Sequence, residues 1–519
     1  MARPVYSMGG KKQFAQYSRL QQQARNNLGT IMSDQLKAPV KFRDDNLDVL
    51  DQYYESRQYD NLQDWNEAAK QEIYVPVRDR KPRIVYNVAK VLVDKVAAKI
   101  VGQGMFPDFH VEEDPDDTAF FRVVQKACGF RRHMVAPIKH LLISGSVFVR
   151  FYVVDGNLAL EHANAKYCYP QFDPSGDLNQ MEIKYIFEDV NDKTDNGKAK
   201  WKWYRIVLTK TSDILYDNPE YKEGVTPDFV VVEQVDHDLG WVQGEWLRTS
   251  KKKHDPDGDS LIIDILPFID ELNYSLSQTS QAVAYNQEPQ LAVNAMDEDE
   301  VEKLIKSAQK SWNLGKDGKA AFIESNMKGV ETAEASRDHM RQFMLDVVRV
   351  VLHDPEKMAT AAQSGEALKV LNAPLVELID ELRTSIEPSL VNLLIKIGLT
   401  MLELHNRGEE TILEVPDGYL PSSLDLTVAW PPIFPITIQD LQAKAQVAVA
   451  VSGAMLISRE SLTRWLAPDF GIENIDEELQ KLADEPVFNP FTGFGPPADI
   501  PNNVPDKSQQ PPPGKGPPK

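Results

Sequence analysis

The sequence predicts a mixed α+β fold in which an α/β first half gives way to long helices wrapped around a small inserted unit. Three observations predict it. Runs of β-branched and aromatic residues alternate with a helical stripe between Val40 and Asp257. Two long apolar stripes at helical spacing, Leu261 to Tyr285 and Thr332 to Leu352, enclose the short segment Glu288 to Glu331. A third stripe, the longest in the chain, starts at Ser364 and ends near Gly408.

Each element has its own local cause. Residues 1–35 form a Gln-rich arm with Arg3, Lys11, Lys12, Arg19 and Arg25 and no acid before Asp34; this composition fits a solvated tail or a docking arm. Residues 36–257 make the α/β region. There Asn87 to Val101 carries Val88, Val91, Leu92, Val96 and Ile100 at helical spacing, with the stem of Lys95 on the same side. Ile143 to Val154 reads as a strand, and Asp155-Gly156-Asn157 turns it back into Leu158 to Glu161. Lys200 to Leu208 and Phe229 to Glu233 add strands, with the polar stretch Asp189 to Lys198 as a turn.

Gly258-Asp259-Ser260 opens a helix over 258–287, about 40 Å long at 1.5 Å per residue. Pro267 imposes a bend or a late start. The unit 288–331 holds an acidic helix start at Asp297 to Glu300, a helix Val301 to Ser311 and a strand Lys319 to Ile323. A helix over 332–352 presents Met340, Phe343, Met344, Val347, Val348 and Val351 on one face. The break 353–363 follows, ending in Lys357, Met358, Ala359, Thr360, Ala361, Ala362 and Gln363, with few side chains large enough to anchor it. Ser364 caps the helix 364–408, whose stripe runs from Leu375 to Leu404 and is expected to kink at Pro374 and Pro388. Residues 409–435 return a strand, Leu424 to Trp430. Residues 436–485 are helical, with Thr437 plus Asp440, Ser458 and Asp476 as caps. The Pro-rich 486–519 is read as disordered.

Composition bounds function. At roughly 150 residues per domain, a chain of 519 residues holds about three folded units. Its 57 Lys and Arg against 78 Asp and Glu leave a net charge of -21, which repels nucleic acid and argues against a general DNA grip. It is compatible with DNA passing without sticking. Cys128 and Cys168 are isolated and read as small buried apolar residues of a reducing compartment. Gln and Asn occupy the place where a signal peptide would carry its apolar core. Lys396 and Glu403 interrupt Leu390 to Leu404, which falls short of the ~20 apolar residues of a span, so a soluble protein is expected.

No motif for chemistry is found. Gly315 to Lys319 lacks the spacing of a phosphate-binding loop, and Gly102-Gln103-Gly104 is half of a dinucleotide fingerprint. His133 and His140 share a helix, but no HExxH is present. Asp255, Asp257 and Asp259 alternate as in a calcium loop, yet Gly258 is misplaced and no closing Glu follows, so a solvated turn is expected. Neither a catalytic residue, a metal nor a cofactor is assigned.

Several stretches, taken in order, resemble the portal proteins of tailed bacteriophages. Gln363-Ser364-Gly365-Glu366-Ala367-Leu368-Lys369 is similar to the family's Ser-Gly-x-Ala-Leu-Arg/Lys stretch, which places Ser364, Gly365, Glu366 and Lys369 at the start of a tunnel helix. Asp259 to Ser277 resembles the start of the first stem helix, Asn87 to Ile100 and Ser144 to Val147 resemble the wing, and Ala454 to Leu462 resembles a crown turn. The basic arm and the Pro-rich tail depart from the pattern. The resemblance implies a wing (36–257), two stem helices (258–287 and 332–352), a clip (288–331), a tunnel loop (353–363), a tunnel helix (364–408), a wing return strand (409–435) and a crown (436–485). It further implies a dodecameric ring at the capsid portal vertex of the virion, assembled in the host cytoplasm, with double-stranded DNA passing through and no membrane.

Its implied partners are the terminase large subunit, head-completion and adaptor proteins, and the major capsid and scaffolding proteins. In the clip, Lys306, Lys310, Trp312 and Phe322 are the candidate docking residues, with internal packing as the other reading of Trp312 and Phe322. In the tunnel loop, Lys357 offers one salt-screened phosphate contact per subunit. A head or tail adaptor without a channel and a metal-dependent nuclease are the competing expectations.

Overall fold

The computed structural model describes residues 40–65, 75–111, 114–154, 157–193, 197–225, 227–252, 255–287, 290–294, 319–323, 328–350, 370, 372–408, 419, 421–434, 438–453, 457–467 and 479–481. The chain divides into two units: Met1–Ala361 with Ala367–Phe434, and Ala362–Glu366 with Pro435–Lys519.

The first unit opens with α1 (Val40–Tyr54), the short parallel pair β1 (Gln63–Asp64) and β2 (Arg80–Lys81), α2 (Val88–Val101) and β3 (Asp108–Val111). Helices α3 (Pro115–Ala127) and α4 (Phe130–Ser144) lead into β4 (Ser146–Val154) and β5 (Asn157–Asn164). Next come β6 (Cys168–Phe172), β7 (Leu178–Lys193), β8 (Ala199–Thr209), β9 (Ser212–Tyr216), β10 (Val231–Asp236) and β11 (Gly244–Arg248). Helix α5 (Leu266–Gln287), β12 (Gln290–Asn294), β13 (Lys319–Ile323), α6 (Lys328–Val348), α7 (Ala373–Asn406) and β14 (Leu426–Ala429) complete it. The second unit contains α8 (Ile438–Gly453) and α9 (Arg459–Leu466).

Helix α2 forms where the apolar stripe was read. Asn87 caps it, accepting from the Lys90 amide, and Val88, Ala89, Leu92, Val93, Val96, Ala97, Ile100 and Val101 are buried. The stripe is centred one position later than the spacing indicated: Val91 faces out, 41% exposed. Asp114 caps α3 at the Asp116 and Asp117 amides.

The strand expected from Ile143 begins at Ser146, because Ile143 and Ser144 close α4. Gly145 makes the switch. Its φ of 81° is in the left-handed region, and a Cβ there would lie 2.3 Å from the carbonyl oxygen of Gly258. Strand β4 then pairs antiparallel with both β5 and β11. The second sheet is antiparallel throughout, in the order β10-β9-β8-β7-β6. The polar stretch expected to be a turn from Asp189 is strand up to Lys193 by way of a register shift, with Asp189 and Asp192 both held by Lys202 at 3.0 and 2.8 Å.

Helix α7 runs through the core, packed on β11, α3, α2 and β14. Leu375, Leu378, Ile379, Leu382, Ile386, Leu390, Leu393, Ile397 and Met401 are buried as the stripe required. Pro374 stands in the first turn, where its missing amide costs nothing, so of the two expected kinks only Pro388 lies inside the helix. Gly398 lets α3 approach: a Cβ would lie 3.1 Å from Phe120 and 3.2 Å from Phe121. By length and composition α7 could cross a membrane, but its apolar residues are spent in this core. Arg383, 5% exposed, donates to the carbonyls of Lys99 (3.0 Å) and Pro431 (2.8 Å), capping the negative end of α2. In the second unit Ser458 caps α9 by accepting from Ser461, as expected, and α8 packs on α9. Thr437 and Asp476 lie outside the described residues.

One buried pair makes the first unit acid-sensitive. The rings of His140 on α4 and His162 on β5 lie 5.1 Å apart, and the Nδ1 of His140 is buried with no hydrogen-bond partner among the described residues. Burial, then the charges of His140 and His133, push His162 down to about 4. Burial also depresses His140, against the pull of Asp51 from α1 and with Lys166 adding to the depression; Glu55, just past α1, also pulls the other way. Because the folded value lies below the unfolded 6.5, stability is fully present above pH 6.5 and is lost as pH falls toward 4. The denaturation midpoint should drop between pH 7 and pH 5, and His162→Phe should flatten that decline.

Candidate functional site

The region that the sequence marks for function is built by α5, α6 and the strands joining them. Its root is fixed by charge. Arg43 of α1 donates from Nη2 to Asp257 Oδ1 at 2.8 Å, and Ser146 donates to the same carboxylate. Arg43 Nε donates to Asp257 Oδ2 at 2.5 Å, while Nη1 reaches the carbonyl of Cys168 and Nη2 also that of Ala165, each at 3.0 Å. Asp259 accepts from Ser250 at 2.7 Å and pairs with Lys252; burial opposes its ionisation, but these partners hold it below the ordinary carboxylate range. Of the alternating acids only Asp257 is buried and acts as a structural joint; Asp255 and Asp259 are exposed, as a solvated turn requires. Among the described residues no three His, Cys, Asp or Glu side chains are grouped to hold a metal ion.

From this joint the chain makes a 3-10 turn at Ile263–Ile265 and enters α5 with Pro267 in its first turn. Of the two outcomes expected at Pro267, the late start is the one found. The helix has 22 residues and is about 33 Å long.

Its packing is not purely apolar. Ile265, Ile269 and Leu272 are buried, but a polar stripe of Asp270, Asn273, Ser277 and Gln281 runs beside them. Tyr53 and Tyr59 donate to the two oxygens of Asp270 at 2.7 and 2.6 Å. Asn273, 0% exposed, accepts from the Tyr86 amide at 2.8 Å and donates to Tyr59 at 3.2 Å. Ser277 accepts from the Ile84 amide at 3.0 Å, and Trp65 donates to Gln281 at 2.9 Å. Tyr274 donates to the carbonyls of Arg78 and Arg80. Burial and the charge of Asp270 push the Tyr59 and Tyr274 hydroxyls up, so both stay donors at any ordinary pH. The stripe supplies hydrogen bonds to a segment of irregular backbone that lacks a ladder of its own. Sequence reasoning missed it, although polar residues at helical spacing were its signal.

The strands β12 and β13 pair antiparallel, Gln290 with Ile323 through Asn294 with Lys319, so the ends of α5 and α6 are joined by a two-stranded ribbon. The expected strand Lys319 to Ile323 is present, and Phe322 lies opposite Leu291 in its register. Helix α6 packs on α5. It spans Lys328–Val348 rather than 332–352, and Arg349 with φ 57° ends it. Met344 and Val348 are buried, but Phe343 and Val347 of the expected apolar face are 59% and 50% exposed. From Leu272 to Gln287, α5 carries no charged residue.

Lys306, Lys310 and Trp312 lie outside the described residues, as do Lys357, Met358, Ala359, Thr360, Ala361, Ala362, Gln363, Ser364, Gly365, Glu366 and Lys369, and the acidic run Asp297 to Glu300.

A model of the family described as phage portal protein, SPP1 Gp6-like, matches residues 39–486. No curated protein sequence matches the chain. Among solved structures, a chain from the virion of a native gene transfer agent particle aligns with TM-score 0.40 and 11% identity, covering 73% of this chain and 89% of that one. A chain from the neck of an empty gene transfer agent particle aligns with TM-score 0.40 and 12% identity, covering 73% and 90%.

The polar stripe can be tested directly. Asn273→Ala would remove the side-chain acceptor of the Tyr86 amide, at a cost of about 0.5–1.5 kcal/mol. Hydrogen exchange at Tyr86 should accelerate accordingly, while exchange in β7 and β8 should not change.

Proposed function

The chain belongs to the phage portal protein family, and on that premise we propose that it is the subunit of the ring at one capsid vertex through which double-stranded DNA is packaged and ejected. The observation that carries this reading is the joined pair α5 and α6. Two long helices linked by a strand ribbon leave Phe343 and Val347 of α6 open to solvent. Apolar surface of this kind asks for neighbours, and a cyclic head-to-tail arrangement supplies identical ones around a closed ring. We assign the ring as a dodecamer.

In this reading residues 36–257 are the wing, α5 and α6 the stem, 288–331 the clip, 364–408 the tunnel helix, 409–435 the wing return strand and 436–485 the crown. The clip is the docking platform for the terminase large subunit and later for head-completion and adaptor proteins, with Lys306, Lys310, Trp312 and Phe322 as contacts. Major capsid and scaffolding proteins surround the ring, which assembles in the host cytoplasm. The stretch 353–363 is the tunnel loop, beside the tunnel-helix start at Ser364, Gly365, Glu366 and Lys369. Duplex DNA carries about one charge per 1.7 Å, so a predominantly acidic channel lets it slide, and Lys357 adds a weak contact per subunit. The chain itself catalyses nothing in this reading.

Electron micrographs of purified protein should show rings with an open centre; a stable monomer at micromolar concentration would favour an adaptor instead. In a packaging assay, Lys357→Glu combined with deletion of Ala359 to Ala362 should leave rings intact and reduce packaged DNA. Normal packaging would remove the tunnel-loop assignment.

A further inference from the structure

Within a chain of net charge -21, one surface of the first unit is strongly basic. Helices α3 and α4 are joined by the two-residue turn Cys128–Gly129, in which Gly129 takes φ 57°. The turn brings Arg122 and Lys126, from the last turns of α3, beside Arg131 and Arg132, from the first turn of α4. These four cations line two adjoining surface hollows together with Gln103 and Gln125. Arg122 makes a solvent-exposed pair with Asp108 at 3.4 Å. Lys126, Arg131 and Arg132 are exposed, and their side chains make no hydrogen bond or ion pair among the described residues. The carboxylates of Asp114, Asp116 and Asp117 stand at the far end of α3, about 15 Å from Lys126 at 1.5 Å per residue.

Folding does not ask for this arrangement. Lys126 suits the negative end of α3, but Arg131 and Arg132 occupy the first turn of α4, where the helix dipole disfavours cations by some 0.3–1 kcal/mol each. They fill no hole and cap no carbonyl. We propose that this patch binds the phosphate backbone of duplex DNA on the outside of the ring, as a site separate from the channel. The choice of DNA over another polyanion rests on the portal reading; the anion preference itself rests on the patch. Four cations along one helix–turn–helix edge match the closely spaced charges of a duplex, whereas the exposed Val123 and Val135 flanking them leave room for apolar contact with sugars. Guanidinium groups suit phosphate because their forked donors address two oxygens at once.

The test must keep the channel out of the measurement. A covalently closed circular duplex cannot thread a closed ring, so its binding reports the outer surface. With full-length rings, verified by micrographs, binding to such a circle should be measured from 25 to 200 mM salt for the native chain and for Lys126→Ala/Arg131→Ala/Arg132→Ala. All three side chains are exposed, so the variant should form rings of unchanged thermal stability. We expect at least tenfold weaker binding, and a slope of log affinity against log salt reduced by about 2–3, close to 0.9 per lost contact. Arg131→Lys/Arg132→Lys should retain most of the binding. Equal affinity and slope in the native and alanine chains would overturn the proposal and leave the ring reading standing. Displacement of the circle by polyglutamate at equal charge concentration would reassign the patch to an acidic protein partner and equally overturn it. Preparations without rings that still lose circle binding on alanine substitution would support the site and sink the portal reading alone.

Discussion

The buried pair between Arg43 and Asp257 is the constraint on which the rest of the first unit depends. A charge pair taken out of water stabilises a fold only when its remaining donors and acceptors are also filled, because desolvation otherwise outweighs attraction. Here they are. Asp257 accepts from Arg43 and Ser146, and Arg43 spends its remaining donors on the carbonyls of Cys168 and Ala165. Losing one partner would strand the other, typically at about 3–5 kcal/mol. Four chain segments far apart in sequence, α1, the start of β4, the entry to β6 and the approach to α5, therefore meet at one point. Gly145 and Gly258 make the meeting close: a Cβ on either would lie 2.5 Å or less from the other's carbonyl oxygen. Leu261 donates to the Leu142 carbonyl at 2.9 Å and Thr249 to that of Gly145 at 3.0 Å, so backbone bonds finish the joint.

The consequence reaches along α5. With its origin fixed, the polar stripe from Asp270 to Gln281 can meet the irregular backbone around Arg78 to Tyr86 in register. One half of the helix pair is thereby locked to the segment from Trp65 to Tyr86 by directional bonds, which do not slide as apolar contacts can. Near its C-terminal end α6 leaves Phe343 and Val347 open. A helix pair fixed at its root and unsatisfied along its flank is suited to presenting the same face to a neighbour in every copy.

The sequence made the apolar pattern legible and hid the polar one. The buried residues of α2 and α7, the strand pair β4–β5 and the Ser458 cap follow from spacing and local chemistry, and the structure has them. What was misread shares a cause. Val91 reads as inside and Asp257 as outside because hydropathy alone cannot say which polar groups will be paired. Pro374 was taken for a kink because its position relative to the helix start could not be known. Ile143 fits a strand by composition, but Gly145 ends the preceding helix two residues later. The docking and channel residues, from Lys306 to Lys369, were chosen by position between helices and by resemblance, which fix order along the chain and not contact.

Net charge is an average, and for a chain proposed to handle DNA the distribution matters more. The Debye length at physiological salt is about 8 Å, so a duplex at the surface feels the nearest charges and little of the whole. An excess of acid over base of 21 charges can therefore coexist with a local patch that attracts phosphate, provided its carboxylates stand more than that distance away. Toward Asp114 to Asp117 the patch meets this condition, at about twice the Debye length along α3, whereas Asp108 lies against Arg122 and offsets one of the four cations. In the proposed reading, a channel that lets DNA slide and an outer surface that holds it place opposite demands on charge. Separating the two in space lets a single acidic chain satisfy both, since screening keeps either region from cancelling the other.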